Sequence, residues 1–137
     1  MAELKLICVN SDLELDQSIT TAGTAVITSS PSSYEKIDGK GIYAGDVTVS
    51  VSGFKGGNIS DGGGYVVTTP GSGTDTLSPS SDSCKAGGEY VLREGDNVDV
   101  TVSGIITNST NPQDTRTVTQ TVNVKISDAG QSYIKSY

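Results

Sequence analysis

One passage of this chain is written twice, and that repetition limits the possible folds more than any other feature. Ser30-Pro31-Ser32-Ser33 leads through Lys36-Ile37-Asp38-Gly39-Lys40 and Ile42-Tyr43-Ala44-Gly45-Asp46 to the run Val47-Thr48-Val49-Ser50-Val51-Ser52-Gly53-Phe54. Farther on, Ser78-Pro79-Ser80-Ser81 leads through Lys85-Ala86-Gly87-Gly88-Glu89 and Val91-Leu92-Arg93-Glu94-Gly95-Asp96 to Val98-Asp99-Val100-Thr101-Val102-Ser103-Gly104-Ile105. Each copy reads as a β-hairpin. Asp38-Gly39 is a turn signal because glycine accepts positive φ and aspartate bonds the nearby backbone. Gly39 and Gly88 are expected to hold equivalent turns, and Gly45-Asp46 and Gly95-Asp96 to redirect the chain into the valine strands. One hairpin cannot bury its own valines. The two units, with the Val118–Ile126 strand and the N-terminal run, are therefore expected to pack around a shared axis. Two similar hairpins within an ordinary sandwich are the alternative.

The valine runs alternate apolar and polar residues without fault, placing Val47, Val49 and Val51, and Val98, Val100 and Val102, on one face each. Val118 to Ile126 keeps the alternation with Gln120 as its one lapse. Leu13-Glu14-Leu15-Asp16 is too short to judge, and no long stretch has helical spacing. Between the strands lie breakers: Gly53 to Gly64 reads as an exposed loop, Thr69-Pro70-Gly71-Ser72-Gly73 as a turn, and Thr107 to Thr115 as a polar loop. The chain is read as one all-β domain, 1–137, with related hairpin units at about 26–54 and 76–105.

Composition agrees with thin β layers. Only 34% of the residues are hydrophobic and there is no tryptophan, against roughly 45–50% apolar in ordinary domains. The net charge of −7 argues against a nucleic-acid partner, which needs a basic face. No stretch has the length of a membrane span. Met1-Ala2-Glu3-Leu4-Lys5 does not open a secretory signal, so synthesis in the cytoplasm is expected. Asn58-Ile59-Ser60 and Asn108-Ser109-Thr110 are then chance matches to the glycosylation pattern. Cys8 reads as a buried small hydrophobe and Cys84 lies in a Gly/Ser-rich stretch; a disulfide between them is not expected.

The Ser-Pro start, the Lys36-Ile37-Asp38-Gly39-Lys40 turn and the Gly45-Asp46 step resemble the PAAR-repeat and PAAR-like proteins. The resemblance covers residues 26–54 and, more loosely, 76–105. It implies a small pseudo-symmetric β cone or prism that caps the trimeric central spike of a contractile injection machine, such as a type VI secretion system, a phage tail or an extracellular relative. The implied partner is the spike protein, at one copy per trimer, with effector or cargo proteins beside it and delivery outside the cell. The chain departs from the family in two places. Gly41-Ile42-Tyr43-Ala44 replaces the Pro-Ala-Ala-Arg tetrapeptide, and no histidine is present for the family's zinc tip.

No catalytic, metal or cofactor site is expected. Without histidine there is neither a Ser-His nor a Cys-His pair, and two separated cysteines do not close a zinc site. Asp12, Glu14 and Asp16 have a faint calcium-loop spacing, but leucines interleave them as on a solvated strand face. Gly62-Gly63-Gly64 has no following Lys-Ser/Thr and cradles no phosphate. Carboxylate pairs for glycoside hydrolysis need no motif, yet the absence of tryptophan and the single phenylalanine disfavour a sugar-stacking cleft. The competing reading is an Ig-like β-sandwich serving as a decoration or adhesion module of a phage or cell-surface assembly.

Overall fold

The computed structural model describes residues 4–10, 13–19 and 22–137. Asp12 of the carboxylate triplet lies outside them. The described chain is all-β. Its strands are β1 (Lys5–Leu6), β2 (Glu14–Gln17), β3 (Ala22–Ile27), β4 (Lys36–Ile37), β5 (Lys40–Gly41), β6 (Val47–Lys55), β7 (Tyr65–Leu77), β8 (Lys85–Ala86), β9 (Glu89–Tyr90), β10 (Asn97–Asn108), β11 (Thr115–Asp128) and β12 (Lys135–Ser136).

Six of them form one antiparallel sheet in the order β2-β11-β10-β7-β6-β3. Strands β2 and β3 are consecutive in the chain, yet they occupy opposite edges and approach one another without a ladder. The sheet is therefore curled and nearly closed. It is a single sheet rather than the two facing sheets of an Ig-like sandwich. Its strands come as three successive pairs, β2 with β3, β6 with β7, and β10 with β11. The second strand of each pair bonds the first strand of another: β3 to β6, β7 to β10, and β11 to β2.

The alternation read from the sequence turns one face of each strand inward. Val47, Val49, Val51, Val100, Val102, Val122, Val124 and Ile126 are all at most 2% exposed, and Val98 is half-buried at their margin. Burying each such side chain contributes about 1.5–3 kcal/mol relative to leaving it in water. These valines fill the interior.

Two breakers read from the sequence are ordered differently. Gly53 to Lys55 continue β6, and the glycines after them make tight bridged turns, Gly56 to Ile59 and Gly62 to Tyr65. Ile59 is fully buried, so this is a folded-back cap with an apolar plug. Thr69 to Gly73 lie inside β7 as an irregular stretch with register shifts against β10. Glycine is needed there because a Cβ at Gly73 would run into the Thr101 carbonyl, and one at Gly71 would meet the Ile59 side chain. The polar loop after β10 is present as the 109–114 turn.

The end of the sheet carrying these turns is tied side to side. Ser109 N donates to Gly64 O at 2.9 Å, and Asn58 Nδ2 donates to Thr119 O at 3.0 Å. Tyr65 OH donates to Asp114 at 2.6 Å while the Arg116 guanidinium lies 4.6 Å from the Tyr65 ring centre. The bond to Tyr65 foremost, and then that from Asn108, hold the Asp114 carboxyl below its ordinary pKa, while the same bond raises the Tyr65 phenol.

Candidate functional site: a three-fold prism

At the opposite end the short strands build a second structure. The turn of the first hairpin, β4–β5, has φ of 52° at Asp38 and 76° at Gly39. The turn of the second, β8–β9, has 62° at Gly87 and 86° at Gly88. Two successive positive φ values define the I′ turn that suits the twist of a two-residue hairpin. Gly39 and Gly88 are thus equivalent, as the repeat required.

A third hairpin completes the set, and it is assembled from distant parts of the chain. β12 pairs with β1, Lys135 opposite Leu6 and Ser136 opposite Lys5. The same pairing relates Lys36 to Gly41 in the first unit and Lys85 to Tyr90 in the second. Each hairpin then runs into a three-residue inner segment: Ile42-Tyr43-Ala44, Val91-Leu92-Arg93 and Ile7-Cys8-Val9. These segments bond one another in a ring. Cys8 N donates to Leu92 O at 2.9 Å, Leu92 N to Tyr43 O at 2.9 Å, and Tyr43 N to Cys8 O at 3.0 Å. The flanking bridges close it at each side: Ile7 with Arg93, Val9 with Ile42, and Ala44 with Val91. A further set of equivalent bonds, Ile42 N to Glu35 O, Val91 N to Cys84 O and Ile7 N to Ile134 O, fixes the register of all three units.

The ring has two faces because side chains alternate along a strand. Cys8, Tyr43 and Leu92 join the core under the six-stranded sheet, whereas Ile7 and Val91 pack with Ala86 and the half-buried Ile37, Ile42, Ala44 and Cys84 in a second cluster. Both cysteines are free. Burial first, and then the charges of Asp96 and Glu94, push the Cys8 thiol far up. The Tyr43 phenol is raised by burial too, and its hydroxyl lies 3.3 Å from Asn10 Oδ1.

Polar side chains fasten the corners. Ser32 Oγ accepts from the amides of Tyr34 and Glu35, and Gln131 Oε1 accepts from those of Tyr133 and Ile134, the matching turn of the third unit. The Ser32 hydroxyl also donates to Glu35 at 2.5 Å; this bond above all, with the amides of Glu35 and Gly87, keeps the Glu35 carboxyl below its usual pKa. Asp96 is buried, accepting from the Arg93 amide at 2.9 Å and from the Ser80 hydroxyl. Arg93 Nη2 donates to Ser80 Oγ at 2.7 Å and Nη1 to the Ser136 carbonyl at 3.2 Å, tying the second unit to the third.

The predicted turn residues therefore gather in one structure, although not all in equivalent roles. Gly45 and Gly95 both have positive φ, at 74° and 94°. Asp46, however, is exposed where Asp96 is buried. The third unit was missed because its strands are two residues long and lie at opposite ends of the numbering. One weak signal was available: Tyr133-Ile134-Lys135 echoes Tyr34-Glu35-Lys36.

Among the described residues eight large hydrophobic side chains are exposed, and six of them lie on or beside the prism: Leu4, Tyr34, Tyr90, Tyr133, Ile134 and Tyr137. Tyr34 and Tyr133, at matching positions, are 91% and 73% exposed. Also among the described residues, no group of three or more Cys, Asp or Glu side chains is placed to hold a metal. Comparison with protein-family models, with curated proteins and with solved structures gives no match.

Proposed function

We propose that this protein is a non-enzymatic spike tip. In this reading it caps the trimeric central spike of a contractile injection apparatus, one copy per trimer, and helps that spike puncture an envelope. The observation that carries the reading is the hydrogen-bonded ring of Cys8, Leu92 and Tyr43. A three-fold spike offers three identical surfaces around one axis, and a single chain meets them equally only if it has three near-equivalent units of its own. The prism is such an arrangement within one chain, in keeping with the PAAR-like resemblance of residues 26–54 and 76–105. Its exposed tyrosines suit docking, since aromatic anchors dominate protein interfaces.

The work of a tip is mechanical. Load along the axis would be borne by long antiparallel ladders, with β10 and β11 paired from Asn97 with Lys125 to Thr107 with Thr115. The protein would be made in the cytoplasm, ride on the apparatus and be delivered outside the cell, with effector or cargo proteins as further partners. The test is co-expression with the trimeric spike protein of the same gene cluster, followed by sizing. Co-elution with the intact trimer is expected, weakened by the double change Tyr34→Ser and Tyr133→Ser. A spike that elutes without it sinks the reading.

A further inference from the structure

We propose that a lateral groove between the prism and the curled sheet binds an acidic, aliphatic-containing peptide segment of a partner protein. This groove encloses about 570 Å³ and is lined by Leu4, Lys5, Leu6, Lys125, Ile126 and Lys135, with Asp16 and Glu94 at its sides. The three lysines reach it from three elements, β1, β11 and β12. Among the described residues none of the three ammonium groups forms an ion pair or hydrogen bond, although two carboxylates share the groove. In a chain of net charge −7, three cations against two carboxylates give this concave lining a surplus of one positive charge, and ammonium groups without an ion pair can seat the carboxylates of a partner.

The lining also tells against a dense polyanion. Consecutive phosphates carry more negative charge than that surplus matches, and exposed Leu4 with half-buried Leu6 gives part of the groove an aliphatic character that an apolar side chain matches. A peptide alternating carboxylates with Leu, Ile or Val meets both. The groove stands beside the ring rather than on it, so this site is independent of the spike-tip reading and survives if that reading fails.

The experiment records amide and methyl NMR shifts of the full chain. One probe is a pool of short peptides randomised over Asp, Glu, Leu, Ile, Val and Gly; a second pool has Lys and Arg in place of the acids; a third probe is inorganic tripolyphosphate. The acidic pool is expected to move the amides of Leu4 to Leu6, Glu94, Gly95 and Lys125 to Ser127. The triple change Lys5→Gln, Lys125→Gln and Lys135→Gln should weaken that binding roughly tenfold or more. The charge-keeping triple change Lys5→Arg, Lys125→Arg and Lys135→Arg should retain it, which separates lost charge from lost fold. The proposal is overturned if the acidic pool leaves these amides unmoved, if it binds the glutamine variant equally well, if the basic pool moves the same amides, or if tripolyphosphate moves them at lower concentration.

Discussion

The amide of Cys8 donates to the carbonyl of Leu92 at 2.9 Å, joining the N-terminal segment to the second written repeat. Leu92 passes the pattern to Tyr43, and Tyr43 returns it to Cys8. The repeat is therefore three units that close on one another. Closure satisfies backbone groups which three isolated hairpins would leave unpaired, so the units are expected to fold as one cooperative structure.

Gly39 and Gly88 test the equivalence of the turns. Both have positive φ, and nothing lies within 4 Å of an added Cβ at either. Alanine at each should cost only the backbone term, about 1 kcal/mol, and nearly the same amount at the two positions. Gly73→Ala should cost more, about 2 kcal/mol or more, because its Cβ meets the Thr101 carbonyl and the ladder must shift to admit it. Urea melts give all three values. A cheaper Gly73→Ala would contradict the packing described.

Much of this was legible in the sequence, and what was hidden has physical reasons. The runs at Val47, Val98 and Val118 announced themselves by their period of two, because one face is buried and the other wet. The turns at Asp38-Gly39 and Gly87-Gly88 were visible because few residues tolerate their φ. The third unit was not visible, since no local pattern marks a hairpin made of Lys5–Leu6 and Lys135–Ser136. Ile59 was concealed among glycines, and its burial depends on the fold around it. In β7 the Thr69–Gly73 letters have the chemistry of a turn, and only close approach to the next strand explains them as an irregular ladder.

The inward valines give a second prediction, which concerns the fold. Val49 and Val100 are fully buried, so aspartate at either leaves a charge without partner or water. Each change should cost at least about 3 kcal/mol. Aspartate at Val26 or Val66, 46% and 41% exposed, should stay within about 0.5–1 kcal/mol. Denaturant midpoints decide it. Native-like stability of Val49→Asp would place that side chain on the outside.

Cys8 makes stability depend on alkaline pH. Its thiol is raised in the folded chain, so the unfolded chain loses this proton at lower pH than the folded one. The contribution is fully present below the unfolded thiol pKa, about 8.5, and is lost as pH rises beyond it, at up to about 1.4 kcal/mol per pH unit. Cys8→Ala should flatten that decline. In the native protein a thiol reagent should modify half-buried Cys84 and spare Cys8 until unfolding. Rapid labelling of both cysteines would contradict the assigned burial.

Native mass spectrometry of the protein mixed with the trimeric spike proposed as its partner tests the central claim most directly, because in the spike-tip reading pseudo-three-fold closure within one chain sets the stoichiometry. The account predicts a single species of three spike chains and one copy of this protein, unchanged when the protein is added in excess. Three copies per trimer would contradict it, since each spike chain would then be recognised separately and the ring of Cys8, Tyr43 and Leu92 would have no part in docking.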